Sequence, residues 1–330
     1  MKRDISIDIL RGFAILTMVA ANLSAYVLQM PPPLLFRFYG TFAAPIFILL
    51  SGGMVGLKGK DLDRGFIYYL RRGSLILLVA GLIELIIWHE IPFMTVDVLY
   101  LIGLAMPITY LFSHLKDRLK TFIILTIFVL SPVLQSLLGY RESINVIVSL
   151  GAINRWLIDG WFPIFPWMGF CFLGPVILQL RQNSETKFGN LMAFWSGLLF
   201  FCGGAALWFF YPGALLIREG YSEMFYPPTL GYIATAIGII ILLFALIDRW
   251  AGIFIFRPMQ WLGEASLFFY ILHLCAIKYY FSVYWAGKDF DNFTLIYLAF
   301  IFGLILIAFG LRQIKNQWIN RPKIVKFFIG

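Results

Sequence analysis

Two short motifs near opposite ends of the chain place chemically active side chains in apolar surroundings. The first, S-I-D-I-L-R-G-F-A over residues 6–14, sets Asp8 and Arg11 one helical turn apart where an apolar run begins. The second, W-L-G-E-A-S-L-F-F-Y-I-L-H-L over residues 261–274, carries Tyr270 and His273. Charged and histidine side chains are costly inside apolar helices, so these residues are the first functional candidates.

His273 is the main candidate for catalysis. It lies about nine residues into its apolar helix, roughly 13 Å along it at 1.5 Å per residue. An imidazole kept neutral by burial can serve as a general base. Tyr270, three residues earlier, shares its helix face and is expected to contact the substrate. The alternative interpretation is a hydrogen-bonded histidine that only packs.

Four charged residues predict a phosphate-binding mouth at one face of the membrane. The planar fork of Arg11 suits phosphate oxygens, and Asp8 would orient it. Arg71 and Arg72 lie within the first turns of a later apolar helix, on the same side. The alternatives are a salt bridge that anchors the first helix and ordinary anchoring of the arginine pair at lipid head groups.

A second group of polar residues is expected near the opposite face, where it could receive a hydrophilic acceptor. Its members are Asn22, Glu84, His89 and Lys278. The alternatives are solvation of His89 at the surface and extension of Lys278 towards the head groups, and for each residue taken alone the alternative is favoured. Asp97 is interpreted as an interfacial residue.

Composition indicates the elements that must position these residues. Hydrophobic residues make up 61% of the 330 residues, charged residues 13%, and the mean hydropathy is +0.86. Because a span needs about 20 apolar residues, the sequence predicts an all-α polytopic transmembrane helical bundle, one domain over residues 1–330. The ten predicted spans are 8–30, 36–57, 66–88, 94–113, 120–139, 162–180, 190–210, 229–247, 265–286 and 293–312.

The distribution of basic residues predicts the orientation of the bundle. Net charge is +9, and with a cytoplasmic N-terminus the cytoplasmic segments hold 17 of the 26 lysines and arginines against 5 in the outer loops. The positive-inside rule therefore predicts both termini in the cytoplasm, in an inner or plasma membrane. Since the membrane explains this basic bias, we expect lipid and not nucleic acid as a partner.

Three further expectations concern the remaining segments. Cys171, Cys202 and Cys275 fall in predicted spans and are interpreted as buried apolar residues, not as disulfides or a metal site. Segment 140–161 is predicted to be a helix lying on the outer leaflet. The basic tail 312–330 is predicted to rest against anionic head groups.

The first motif resembles the opening of the transmembrane acyltransferase superfamily, and is most similar to the heparan-α-glucosaminide N-acetyltransferase group and its bacterial relatives. Five further stretches resemble that group in the same order. They are A-A-P-I-F-I-L-L-S-G (43–52), L-Y-L-I-G-L-A-M (99–106), F-P-W-M-G (165–169), Y-P-P-T-L (226–230) and L-G-E-A-S-L through His273 (262–273).

The resemblance implies a bundle of ten or eleven helices that uses acetyl-CoA from the cytoplasmic side as co-substrate, without a metal. It implies transfer of the acetyl group to a sugar-like acceptor across the membrane, with Asp8, Arg11 and His273 as functional positions. Members of that group carry a catalytic histidine in the loop after the first span, but residues 23–45 contain none. His273 or His89 must therefore serve as the base.

We accordingly predict a membrane acyltransferase acting on a cell-envelope glycan or another small hydrophilic acceptor, and possible assembly as a homodimer or membrane complex. The alternative is a catalytically degenerate subunit with the same fold that scaffolds a complex or binds lipid. A third, weaker alternative is a transporter of a small anion that uses the same basic mouth.

Overall fold

The computed structural model describes residues 3–59, 65–140, 150–318 and 320–330. Those residues form α-helices joined by short π and 3₁₀ turns, and they contain no named β-strand. The predicted all-α polytopic bundle is confirmed.

The helices of the first half run as far as the predicted sixth span. They are α1 (Ile5–Val27), α2 (Leu34–Gly40), α3 (Ala43–Lys58), α4 (Phe66–Ile83), α5 (Val98–Ser113), α6 (Asp117–Leu138), α7 (Leu150–Asn154) and α8 (Ile164–Asn183).

The helices of the second half include a short helix at the second motif and another near residue 330. They are α9 (Leu191–Phe210), α10 (Leu230–Trp250), α11 (Arg257–Gly263), α12 (Ser266–Ala276), α13 (Ser282–Tyr284), α14 (Phe290–Gln317) and α15 (Lys323–Ile329).

Each of the ten predicted spans corresponds to a helical segment. Eight segments of the described chain are long and apolar enough to cross a membrane, including a continuous stretch over Leu34–Leu57 and another over Ser266–Tyr284. The other two predicted spans are α4, which continues through the π turn Glu84–Trp88, and α5, an apolar helix of 16 residues.

The helix ends meet at two faces of the bundle. At one face, Asp4 before α1 pairs with Arg181 in the last turn of α8, at 2.7 Å. We call this side the N-terminal face. At the other face, the carbonyl of Val27 at the end of α1 accepts a hydrogen bond from the amide of Lys288 before α14, at 2.7 Å. The chain therefore crosses the bundle repeatedly between these two faces.

Helix α1 lies at the centre of the bundle and contacts α3, α10, α11, α12 and α14. It touches α11 backbone to backbone at two glycines. A Cβ on Gly12 would lie 1.8 Å from the Met259 carbonyl oxygen, and one on Gly263 would lie 1.8 Å from the Asp8 carbonyl oxygen. Only glycine fits such an approach, so these two positions bring the two sequence motifs together.

Two expectations about the remaining segments are corrected. In segment 140–161, residues 141–149 lie outside the described residues, but the side chains of Arg155 and Asp159 are buried within the protein. The described part is therefore not a helix lying on the leaflet. Of the cysteines, Cys171 is buried, Cys275 is partly exposed and Cys202 is exposed, because Cys202 lies on an outward face of α9.

Candidate functional site

A cavity of about 990 Å³ opens at the N-terminal face between α1, α3, α4, α5 and α12. It follows α3 from Leu57 to Phe47, ten residues apart, which is a depth of roughly 15 Å. We call it the basic cavity, because its mouth is lined by five basic and three acidic side chains. They are Arg3, Arg11, Arg72, Lys187 and Lys326 with Asp4, Asp8 and Glu264.

The structure brings Asp8 and Arg11 together in this mouth, but Asp8 has a closer partner. The carboxylate of Asp8 is buried and accepts hydrogen bonds from Arg3 at 2.5 and 3.2 Å. Its nearest contact with Arg11 is 3.7 Å. The Arg11 side chain remains 24% exposed, so its guanidinium can bind an anion in the basic cavity. Arg3 was missed because it precedes the helix and its approach to Asp8 depends on the turn between them.

The adjacent arginines Arg71 and Arg72 separate. Arg72 lines the basic cavity, with its guanidinium 5.6 Å from the centre of the Phe327 ring. Arg71 is exposed and lies outside the cavity lining. Consecutive helix positions point in directions about 100° apart, so a helical pair cannot both face one pocket.

The C-terminal helix α15 does not simply rest on head groups as predicted. Lys326, Phe327 and Phe328 line the basic cavity. Gly330, which follows α15, packs closely on Glu264, since a Cβ at Gly330 would lie 2.2 Å from the Glu264 carbonyl oxygen. Helix α15 therefore forms one wall of the mouth and adds Lys326 to its positive charge.

A buried ion-pair network holds the mouth in place. Arg181 is fully buried between Asp4 at 2.7 Å and Asp248 at 2.6 Å, and Lys187 lies 3.3 Å from Asp4. Burial by itself raises the pKa of Asp4, but the hydrogen bond and charge of Arg181, aided by Lys187, outweigh burial and lower that pKa. The start of α1 is thereby fixed to α8 and α10.

Beyond the mouth, the lining of the basic cavity is mainly apolar. Phe47, Ile76, Ile102 and Met106 line this part. Tyr270 of α12 and Val98 at the start of α5 also line it, at the same depth as each other. An anionic head with a long, mostly apolar arm is the kind of molecule that suits this shape.

His273 and Asn22, separated by 251 residues, are hydrogen-bonded. His273 Nε2 lies 2.9 Å from the Asn22 side-chain nitrogen, and His273 Nδ1 lies 2.9 Å from the Phe269 carbonyl oxygen. A carbonyl oxygen only accepts, so Nδ1 carries the proton, and with the amide oriented as in the structure Nε2 accepts from Asn22. The imidazole is 0% exposed. Both ring nitrogens are therefore already engaged.

Tyr270 connects this pair to the basic cavity. Its ring meets the His273 ring edge to face, with centroids 5.6 Å apart. Its hydroxyl donates to the carboxylate of Asp97, whose other oxygen accepts from the Val98 amide at 2.6 Å. Asp97 was interpreted as interfacial, and nothing in the sequence indicated its contact with a helix 173 residues away.

The other polar residues predicted near the opposite face have separate environments. Glu84 is buried and accepts hydrogen bonds from the hydroxyls of Thr95 and Tyr100 and from the Phe93 amide, so it holds the loop before α5. His89 is exposed, with a left-handed backbone at φ 60°.

Aromatic side chains lie above Asn22 at the opposite face. Tyr26, one turn after Asn22, stacks on Trp88 at 5.8 Å and meets Tyr221 edge to face at 6.1 Å. Trp161 packs against Tyr221 at 5.0 Å. Lys278, from the predicted polar group, lies 5.4 Å above the Trp88 ring. We call Tyr26, Trp88, Trp161 and Tyr221 the aromatic cluster.

The loop 211–228 that supplies Tyr221 is held by the buried Arg218 and the partly buried Arg37. Arg218 donates to the carbonyls of Asp159 at 2.7 Å and Gly160 at 3.0 Å, while Arg37 donates to the Ser222 carbonyl at 2.7 Å. Burial raises the pKa of Glu223 in this loop to about 7, although Arg37 opposes the shift.

No group of three or more His, Cys, Asp or Glu residues in the described chain is arranged to hold a metal ion.

The chain matches a known protein family. Residues 3–212 match the family model described as "Heparan-alpha-glucosaminide N-acetyltransferase, catalytic". Asp8, Arg11, Arg72, Asn22 and Asp97 lie within the matched segment, whereas Tyr270 and His273 follow it. Comparison with curated proteins finds no match.

Proposed function

The chain belongs to the heparan-alpha-glucosaminide N-acetyltransferase catalytic family, and on that basis we propose that it is an acetyl-CoA-dependent acyltransferase of the membrane. It would take an acetyl or similar acyl group from coenzyme A at the N-terminal face. It would transfer that group to a hydroxyl or amine of a glycan or similar hydrophilic acceptor at the opposite face.

The observation that carries this proposal is the basic cavity, which joins a basic mouth to Tyr270. Coenzyme A has several phosphates at one end and a long pantetheine arm that carries the thioester at the other. Arg11 and Arg72 would bind the phosphates, because guanidinium groups fork to phosphate oxygens. Arg3, Lys187 and Lys326 would add positive charge. The arm would follow the apolar part of the cavity and bring the thioester to Tyr270.

The proposed direction of transfer rests on the distribution of charge. The basic mouth lies at the face to which the positive-inside rule assigns the cytoplasm, where coenzyme A is made. The aromatic cluster lies at the opposite face, one helical turn beyond Asn22. Aromatic rings with nearby polar groups suit a sugar, which presents both C–H faces and hydroxyls.

The hydrogen bonds of His273 support a different role for it from the general base that the sequence predicts. A base needs a free lone pair, and Nε2 already accepts from Asn22. We therefore propose that His273 orients the Asn22 amide, whose oxygen is then directed away from the imidazole and can accept a hydrogen bond from the acceptor.

The alternative, a degenerate subunit that scaffolds a complex or binds lipid, is favoured by two observations. Residues 23–45 contain no histidine, and His273 is fully engaged. On this alternative the basic cavity would hold a phosphate-bearing lipid or nothing, and no acyl group would move.

Ligand binding by purified protein tests the proposal. In a thermal-shift titration, coenzyme A should stabilise the protein at lower concentration than dephospho-coenzyme A, and pantetheine should be weakest. Arg11→Gln should weaken binding of coenzyme A by about 10–150-fold, since a charge-assisted hydrogen bond contributes about 1.5–3 kcal/mol. It should leave the weak binding of pantetheine unchanged. Equal shifts for all three ligands, or none, would refute the assignment of the cavity.

A further inference from the structure

Asp97 is a carboxylate beside the basic cavity, and it also caps a helix. It caps α5 through one oxygen, which accepts from the Val98 amide at 2.6 Å. Its other oxygen accepts from the hydroxyl of Tyr270. Tyr270 and Val98 both line the basic cavity. Asp97 thus lies directly beside two lining residues of the cavity, and the residue as a whole is partly exposed.

Asp97 also faces the side on which the acceptor is expected. The two residues before Asp97 are bonded to the segment that supplies Trp161: the Thr95 carbonyl accepts from the Trp161 amide at 3.0 Å, and the Val96 carbonyl accepts from the Phe162 amide at 2.8 Å. Asp97 therefore lies next to the chain segment that carries Trp161 of the aromatic cluster. It lies between the residues assigned to the donor and those assigned to the acceptor.

The neighbouring groups are less suited to take a proton. His273 has hydrogen bonds at both ring nitrogens and is fully buried. Glu84 accepts hydrogen bonds from Phe93 and Thr95 of the loop before α5 and from Tyr100 of α5. The amide of Asn22 is not basic. Asp97, by contrast, is a carboxylate that is hydrogen-bonded to the hydroxyl of Tyr270.

We infer that Asp97 is the general base of the acyl transfer and that Tyr270 returns the proton to the leaving group. This inference rests on the proposed function. The acceptor oxygen or nitrogen attacks the thioester carbonyl carbon while its proton passes to the Asp97 carboxylate. The C–S bond then breaks, Tyr270 gives its hydroxyl proton to the departing thiolate, and Asp97 reprotonates Tyr270. The products are the acylated acceptor and free coenzyme A, and Asp97 is again ionised.

Asp97→Asn is the decisive variant because it keeps the packing role of the side chain. Asparagine caps helices as well as aspartate does. Its amide oxygen can accept from Val98 while its nitrogen donates to the Tyr270 oxygen, but it cannot take a proton. Asp289→Asn is the matched control. Asp289 caps α14 through the Asn292 amide at 2.9 Å and is exposed at the same face, away from the cavity.

The assay compares transfer from acetyl-CoA to an amino sugar with transfer to hydroxylamine, which attacks thioesters without a base. Asp97→Asn should reduce transfer to the amino sugar by about 10²–10⁴-fold, the usual contribution of a general base. It should retain most of the enzyme-dependent transfer to hydroxylamine and the affinity for coenzyme A. Asp289→Asn should match the wild type in all three measurements.

The other outcomes overturn the inference in distinguishable ways. Equal loss with both acceptors would show that Asp97 only supports the structure, and unchanged transfer to the amino sugar would show that it is dispensable. If His273→Gln showed the acceptor-dependent loss and Asp97→Asn did not, the base would be His273. If the wild type bound coenzyme A but transferred nothing to either acceptor, the proposed function would fall and this inference with it.

Discussion

Gly263→Ala perturbs the contact that brings the two sequence motifs together. A Cβ at Gly263 would lie 1.8 Å from the Asp8 carbonyl oxygen and 2.7 Å from its carbon. Both of these atoms belong to the backbone of α1, so neither can rotate away. Because ordinary contact begins near 3.4 Å, α11 must move from α1 by roughly 1.6 Å, or both helices must bend.

The expected cost follows from that displacement. Overpacking a well-packed interior costs about 1–3 kcal/mol, and a clash between two backbones belongs at the upper end of this range. We expect Gly263→Ala to destabilise the protein by about 2–3 kcal/mol. At about 2.1 cal/mol/K per residue, the unfolding entropy of the 330 residues is about 0.7 kcal/mol/K, so Tm should fall by about 3–4 °C.

Gly303→Ala is the matched control, since nothing lies within 4 Å of a Cβ at that position in the middle of α14. Alanine is a better helix former than glycine by up to about 1 kcal/mol, so this variant should melt at the wild-type temperature or slightly above it. Thermal unfolding in detergent micelles, followed by intrinsic fluorescence, measures both variants. A Gly263→Ala protein as stable as Gly303→Ala would refute the close contact of α1 and α11.

Three further predictions concern charge. Arg72→Gln should weaken binding of coenzyme A by about 10-fold or more in a thermal-shift titration, whereas Arg71→Gln should leave that binding unchanged. Equal effects of the two variants would contradict the finding that Arg72 lines the cavity and Arg71 does not. Arg181→Leu leaves Asp248 buried without its partner and should lower the free energy of unfolding by about 3–5 kcal/mol. Replacing both Arg181 and Asp248 by leucine should recover most of that stability in thermal unfolding, and no recovery would argue against a buried pair. Burial raises the pKa of Glu223 to about 7, from an ordinary value near 4.5. Between these two pH values the unfolded chain has lost the proton and the folded chain still holds it, so stability falls as pH rises. Glu223→Gln should remove up to about 3 kcal/mol of that decline, and an unchanged pH profile of Tm would contradict this prediction.

Hydropathy predicted much of the fold, because a membrane restricts what a chain can do. Apolar segments of about 20 residues must be helical, since backbone groups have no other partners in lipid. All ten predicted spans therefore correspond to helical segments. Helix ends are set by local contacts instead, as where the Asp4 side chain accepts from the Ser6 amide at 3.1 Å and α1 begins at Ile5.

The site was predictable where position along a helix determines depth. Asp8, Arg11 and Arg72 lie near helix ends on one side, so their meeting in one mouth followed from topology. The side that each residue faces did not follow, because the direction of Arg71 depends on how α4 is rotated about its axis. Hydropathy does not specify that rotation.

Contacts between distant segments were the least predictable. Asn22 and His273 each appeared as candidates, but their hydrogen bond arises from the packing of α1 against α11 and α12. Asp97 was passed over because its place early in a predicted span indicated an interfacial residue. Asp97 is a cap, and the contact with Tyr270 that suggests a further role is visible only in three dimensions.

Acyl transfer across a sealed membrane tests the central claim most directly. Protein reconstituted in one orientation would receive radiolabelled acetyl-CoA only at the N-terminal face and an amino sugar only at the opposite face. We predict that acetylated sugar accumulates on the acceptor side, and that the product disappears when acetyl-CoA is supplied only on that side. Absence of product in both arrangements, with coenzyme A still bound, would contradict the account.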